Sequence, residues 1–193
     1  MFRLSFLKTR PQLELPEIAE RLGRLPESDY RSAWARRVCE LALQARHEGN
    51  YGVGAVLCHG EQILFEAMNA VFEPLHDSSA HAEMRLLDTW EQAVAEGRQS
   101  SATLRELTLV CSLEPCPMCL SRLLMSGVRR IYYLAEDPQG GMMTRARHLP
   151  PAFRNLMQCC DHGVLRVDEG YRYLARQLSR HGLLQLREKL ISY

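Results

Sequence analysis

Two short segments of this chain carry side chains that can hold a metal and move protons. They are His81-Ala82-Glu83 and Pro115-Cys116-Pro117-Met118-Cys119. Cys116 and Cys119 stand at i and i+3, so at a helix start both thiolates share one face of the first turn. A helix N-terminus carries partial positive charge, which lowers a thiol pKa and favours the thiolate a metal requires. Pro115 suits the entry to such a turn, where no helical N–H is needed. His81 supplies a third, neutral ligand. Three protein ligands leave the fourth tetrahedral position to water, which marks a catalytic rather than a structural zinc. Zinc lowers the pKa of that water to about 7. At the frayed start of a helix His81 can face the metal while Glu83 faces water and substrate, where a carboxylate can relay protons. A bare Cys-x-x-Cys also fits half a zinc knuckle or a redox pair. A structural site would want a fourth Cys or His, and these two segments offer three ligands.

The elements that must position these residues follow from periodicity and breakers. Glu17 to Leu22 reads as a short helical stretch opened by Pro16 and ended by Gly23. Ser28 or Asp29 can cap the first long helix, in which Trp34, Val38, Leu41, Ala42 and Ala45 recur at helical spacing up to Gly49. Gly54 to Cys58 reads as a strand, His59-Gly60-Glu61 as a turn, and Gln62 to Met68 as the hairpin partner. A polar loop from Asn69 to Ser79 leads into a helix from Ala80 to Ala95, with Ala80, Met84, Leu87, Trp90 and Val94 on its apolar face. Leu107 to Ser112 is a strand, and Pro115 opens a helix that Gly127 ends. Arg130 to Ala135 is a strand, Pro150-Pro151 starts a short helix, Val164 to Val167 is a last strand, and Tyr171 onward is helical with a break at Gly182. This order predicts an α/β protein: a three-layer α/β/α sandwich on a mixed five-stranded sheet, with an initial hairpin and later parallel strands. Residues 1–27 read as an N-terminal extension and 28–193 as the domain that carries the chemistry.

Composition agrees with a globular domain. The 193 residues are 46% apolar and 24% charged, with a formal net charge of +1, which excludes a disordered tail, a collagen or a coiled-coil rod. Near-neutral charge argues against a dedicated nucleic-acid binder. The charge is uneven: residues 61–100 hold eight acids and two bases, residues 141–193 nine bases and four acids. Solvated helix faces explain this, and so does a basic surface for a phosphate or polynucleotide. Seven cysteines, an odd number, read as reduced thiols and point to the cytoplasm. Met1 to Lys8 is interrupted by charge too early for a secretory core, and no apolar run approaches the roughly 20 residues of a membrane span.

On these residues the chain resembles the cytidine/deoxycytidylate deaminase superfamily, whose signature is His-x-Glu followed by Pro-Cys-x-x-Cys. It is most similar to the branch holding tRNA adenosine deaminases and guanine deaminases, through Val53-Gly54-Ala55-Val56, Asn69, His76 to Glu83 and Leu113 to Cys119. The resemblance covers about residues 30–138. It implies a cytidine deaminase-like fold and a hydrolytic deaminase with Zn2+ on His81, Cys116 and Cys119. Glu83 is then the catalytic acid–base, taking the water's proton, passing it to a ring nitrogen, and later protonating the departing amine. It also implies that Asn69 and the backbone of Ala82 contact the base, that Val53 and Leu113 are pocket walls, and that the enzyme is a homodimer. The expected substrate is a free base or small nucleoside of guanine type. Alternatives are a tRNA adenosine deaminase, a dCMP- or cytosine-type pyrimidine deaminase, and a non-catalytic zinc-stabilised binding protein, which would have no use for Glu83. Ser78-Ser79 replaces the family's Pro-Thr, and one extra residue separates Asn69 from His81. Asp137 to Gly141 is similar to a loop of some tRNA adenosine deaminases, while Met142-Met143 is not.

Three further features read as structure rather than chemistry. Cys159-Cys160-Asp161-His162 invites a second metal, but adjacent cysteines chelate one ion poorly and Cys is commonly a small buried apolar residue. Tyr171 and Tyr173 read as packing residues, and Arg172, Arg176 and Arg180 as an outward helix surface. Tyr193 could reach a neighbouring site, as C-terminal tails do in similar guanine deaminases.

Overall fold

The computed structural model describes residues 12–192. Strands β1 (Gly54–His59), β2 (Gln62–Met68), β3 (Leu107–Leu113), β4 (Arg130–Ala135) and β5 (Asp161–Val164) form one sheet in the order β2-β1-β3-β4-β5. β1 pairs antiparallel with both β2 and β3, while β3, β4 and β5 run parallel. Helices α1 (Leu15–Arg24), α2 (Tyr30–His47) and α6 (Glu169–Arg180) lie on one side of it. Helices α3 (Ala82–Ala95), α4 (Pro117–Ser126) and α5 (Pro151–Gln158) lie on the other, and α7 (Leu183–Ile191) closes the chain. The expected three-layer mixed sandwich is therefore present.

The sheet divides two cores. Ala55, Leu57, Leu107, Leu109 and Cys111 meet Leu86, Trp90, Leu120 and Leu123 on one side. Val56, Val110 and Leu134 meet Trp34, Val38, Tyr171 and Leu174 on the other. β3 is covered on both faces, which is why it reads as a nearly continuous apolar run instead of an alternation.

Local sequence sets the ends of the elements. Asp29 caps α2 by accepting from Ser32 N at 2.9 Å, and Ser32 Oγ accepts from Asp29 N at 2.9 Å, a reciprocal capping box. Gly127 ends α4 with φ 94°, a left-handed conformation that favours glycine. Gly54 lets α2 lie close on β1: a Cβ there would meet Val38 O at 2.4 Å.

Several boundaries differ from expectation. The N-terminal helix is longer than Glu17 to Leu22, and it buries Ile18 and Leu22 in the same core as Trp34 and Tyr171. The last strand is Asp161–Val164, not Val164 to Val167. Its ladder with β4 begins where Asp161 N donates to Arg129 O at 2.8 Å, so edge pairing outweighs the apolar run that follows. α3 starts two residues later than Ala80 and buries Ala82, Glu83, Leu86, Leu87, Trp90 and Ala93, with Met84 and Val94 half-buried. α4 has Cys116 as its N-cap and Pro117, not Pro115, at its first position. Among the described residues no helix is long and apolar enough to cross a membrane.

Candidate metal centre

His81 and Cys116 occupy equivalent positions, each the N-cap of the helix that follows it. Both caps are extended backbone (ψ 151° and 170°), so both side chains project ahead of their helices, beyond the end of the sheet where β3 finishes. Cys119, in the first turn of α4, comes back to meet them and is buried. His81 Nδ1 lies 3.7 Å from Cys116 Sγ and 3.5 Å from Cys119 Sγ, and all three donor atoms fall within 4.8 Å of one another.

These distances fit zinc. Tetrahedral bonds of about 2.3 Å to sulfur and about 2.0–2.1 Å to nitrogen separate the two ligand atoms by about 3.6 Å. Nδ1 is the ring nitrogen turned to both sulfurs. Hydrogen bonds from Cys119, first, and from His81 bring the Cys116 thiol down to about 4, so it is a thiolate at neutral pH. Cys119 is held well above the usual thiol range because its proton serves Cys116 and because it is buried. A divalent cation would displace that proton, since metal ligation requires the thiolate.

Glu83 lies two residues into α3 with 3% of its surface exposed. Burial pushes its carboxyl above the ordinary range, the Cys116 thiolate adds to the shift, and its own backbone N–H and His81 oppose it.

The loops that flank the cluster leave from the same strand ends. Asn69 follows β2, is buried, and its N–H donates to Val53 O at 2.9 Å, so these two predicted contact residues are neighbours at the hairpin base. Asn69 Oδ1 accepts from Val71 N at 3.2 Å. The loop beyond it returns where Ala70 N donates to Ala80 O at 2.9 Å, one residue before His81. Arg85 in α3 donates to Met68 O at 2.6 Å and ties that loop base to the helix of Glu83. Ala82 is fully buried at the first turn of α3. Leu113 is half-buried and packs with the α2–α6 core, whereas Val53 packs with the core under α3 and α4.

Two functional-site supports had no role in the sequence reading. Glu114, buried and just ahead of Cys116, accepts from Asp137 N (3.0 Å), Thr144 N (2.7 Å) and Thr144 Oγ1 (2.9 Å), which fixes the loop 137–144. Gly141 is required there, because a Cβ would fall 2.3 Å from the Glu114 carboxyl. Asn50, fully buried, accepts from Phe72 N and Glu73 N at 2.8 and 3.0 Å and donates to Glu73 O at 3.3 Å, which fixes the loop after Asn69.

The remaining candidates stand elsewhere. Cys159 is exposed and Cys160 buried, and among the described residues the only metal-competent cluster is His81, Cys116 and Cys119. Tyr171 is fully buried and Met143 nearly so, both as packing residues. Tyr193 lies outside the described residues.

The sheet order, the paired helix caps and the His-Cys-Cys cluster beside a buried glutamate define a zinc-dependent hydrolytic deaminase fold. Residues 28–135 match the family described as the cytidine and deoxycytidylate deaminase zinc-binding region, and the chain belongs to that family. A tRNA-specific adenosine deaminase of Bacillus subtilis is 37% identical over 100 residues, 52% of this chain and 58% of that protein. One of Agrobacterium fabrum is 31% identical over 140 residues, 66% of this chain and 88% of that protein. A solved structure from a study of A-to-I editing by tRNA:A34 deaminases superposes with a TM-score of 0.55 at 26% identity, over 69% of this chain and 98% of that one. The guanine deaminase of Nitrosomonas europaea superposes with a TM-score of 0.57 over 89% of this chain and 98% of its own, at 20% identity, a likeness of fold alone. By identity, then, tRNA adenosine deaminases stand nearer than the guanine deaminases that the sequence reading ranked first.

Proposed function

We propose that this chain, through residues 28–193, deaminates a free purine base or small nucleoside of guanine type, replacing an exocyclic amine by a carbonyl and releasing ammonia. The observation that carries the small-substrate reading is α7. Leu186 packs on Val71 and Phe72 of the loop after Asn69. Lys189 Nζ pairs with Glu73 at 2.7 Å, and Arg187 donates to Gln139 Oε1 in the loop 137–144 at 3.0 Å. The helix thus links the loop that leads into His81 to the loop that Glu114 anchors, and a strapped entrance suits a small ligand better than an anticodon arm.

His81, Cys116 and Cys119 would hold the zinc, which when bound would supply a water nucleophile near neutral pH. Glu83 takes one proton of the attacking water and delivers it to the ring nitrogen beside the reacting carbon; it then takes the second proton from the hydroxyl of the tetrahedral adduct and gives it to the amine, which leaves as ammonia while the carbonyl forms. Burial raises its carboxyl pKa, so Glu83 keeps a proton more readily than an exposed glutamate, as the donating half of the relay requires. Asn69 donates to the base through Nδ2, its amide oriented by the hydrogen bond that Oδ1 accepts from Val71 N. The Ala82 backbone orients the ring, with Val53 and Leu113 as side walls.

The second reading, a tRNA adenosine deaminase, is favoured by the identity to the Bacillus and Agrobacterium proteins. Ammonia release measured across guanine, adenosine, cytosine, dCMP and a tRNA anticodon stem-loop separates the two. Turnover of a free base or nucleoside is expected. Inosine in the stem-loop, with no ammonia from any small substrate, would overturn the first reading in favour of the second.

A further inference from the structure

A second cleft opens at the other end of the sheet, with a volume of about 710 Å³. Its floor is where β3, β4 and β5 begin, at Thr108, Arg130 and Asp161, and its rim includes the β1–β2 turn at Gly60-Glu61. Cys116 and Cys119 follow the opposite end of β3, and His81 lies with them. Five residue steps separate Thr108 from Leu113, about 16 Å of strand, so an occupant of this cleft would not touch the metal.

The lining is cationic and aromatic. Arg31, Arg130, Arg166 and His162 line the cleft, with the Arg130 guanidinium already donating to Glu106 O. Arg31 and Arg166 are exposed and form no ion pair among the described residues. The Arg31 guanidinium lies over the Tyr30 ring, 5.2 Å from its centroid. Tyr30 packs edge-on against Trp34, which donates through Nε1 to Glu61 O at 3.0 Å. Of the two carboxylates present, Asp161 accepts from the Tyr132 hydroxyl at 2.5 Å, and Glu61 remains on the exposed turn. Guanidinium groups recognise phosphate in preference to other anions because their donor fork matches its oxygens. The Tyr132 ring beside them offers a flat apolar face to a heterocycle or sugar, while the Tyr30 ring carries the Arg31 guanidinium. A volume of this size lies in the range of small-molecule sites, roughly 300–1,000 Å³, and is far larger than one phosphate needs.

We infer that this cleft binds a phosphate-bearing small molecule of nucleotide size, held by Arg31 and Arg166 through the phosphate and by Tyr132 through its ring. Such a site stands apart from the reaction centre and does not depend on which base the metal site takes. β3 and β4 connect it to the loops that Glu114 and Asp137 anchor.

Calorimetric titration of the zinc-loaded full chain with ADP, GMP, adenosine and inorganic phosphate tests this. The nucleotides should bind at least tenfold more tightly than adenosine or phosphate alone. The double variant Arg31→Glu, Arg166→Glu should lose that binding by tenfold or more, with an unchanged thermal melt, while Asn69→Ala should retain it. In the unaltered protein, amide exchange should slow across residues 161–166 when nucleotide is added, a readout that needs no variant. Four results would overturn the assignment. One is absence of nucleotide binding up to millimolar concentration. Another is unchanged binding in the double variant. A third is loss of binding in Asn69→Ala, which would put the nucleotide in the metal site. The last is salt-sensitive binding of an RNA stem-loop to these arginines with no affinity for nucleotides.

Discussion

A metal ligand set and an acid–base glutamate are legible at the residue scale because their chemistry fixes their spacing. Two thiolates and an imidazole must converge on one point, and the N-caps His81 and Cys116 with the first turn of α4 bring them there, two residues standing between the cysteines. Elemental analysis should therefore return one zinc per chain, and Cys116→Ser or His81→Ala should lower that occupancy sharply. Glu83→Gln keeps the shape and removes the proton relay, so turnover should fall by about 10²–10⁴-fold with zinc retained. Near-normal turnover in that variant would remove Glu83 from the chemistry. Asn50 and Glu114 show the limit of reading residues in order. Their partners are backbone N–H groups 22 to 30 residues away, and no local pattern announces such a bond. Asn50→Ala should leave the buried Phe72 N–H unpaired, at a cost of about 1–3 kcal/mol, with a smaller loss at the part-buried Glu73 N–H. Its mark beyond stability should be a raised KM, because the loop it holds begins at Asn69.

At the scale of elements, strands covered on both faces and helices with clear breakers were predictable, and edges were not. β3 announces itself by six consecutive buried residues, and α4 by Gly127. β5 is four residues long and half exposed, so its position depends on its ladder with β4, which the sequence does not display. The joint between α6 and α7 is a sharper case, since its chemistry is visible only in three dimensions. Gly182 adopts φ 63°, and beside it His181 faces Arg46 and His47 of α2 and Glu14 ahead of α1. Burial, then Arg46, holds the His181 pKa below its ordinary value. The unfolded chain therefore binds this proton more readily than the folded one. Stability is unaffected above the ordinary histidine pKa of about 6.5 and declines as pH falls below it. Thermal melts at pH 7.5 and 5.5 should show a larger loss for the native protein than for His181→Gln. Equal losses would place the acid sensitivity elsewhere.

At the scale of the whole molecule, the cores account for most large apolar side chains, and the exceptions are informative. Met125 on α4 is 72% exposed and Met118, two turns earlier on the same outward side, is 38% exposed. Between them Arg122 is held down by Asp88 and Glu91 of α3, at 2.7 and 2.8 Å, so its charge is already matched and does not oppose apolar contact. Isolated exposed methionines are ordinary, but two on one rigid helix beside a neutralised arginine make a surface that a second copy can cover. α4 also carries Cys119, so a partner seated on its outer face would brace the helix that supplies two of the metal ligands. A two-fold pairing would place the same patch against itself, and stable interfaces of this kind bury about 1,200–2,000 Å² in all. Light scattering should accordingly give twice the 22.1 kDa of the chain. Met125→Glu, which sets two like charges against each other across the axis, should shift the population to the monomer and leave the zinc content unchanged. A native protein that scatters as a monomer at working concentration would refute the pairing. A dimer indifferent to Met125→Glu would move the interface to another face.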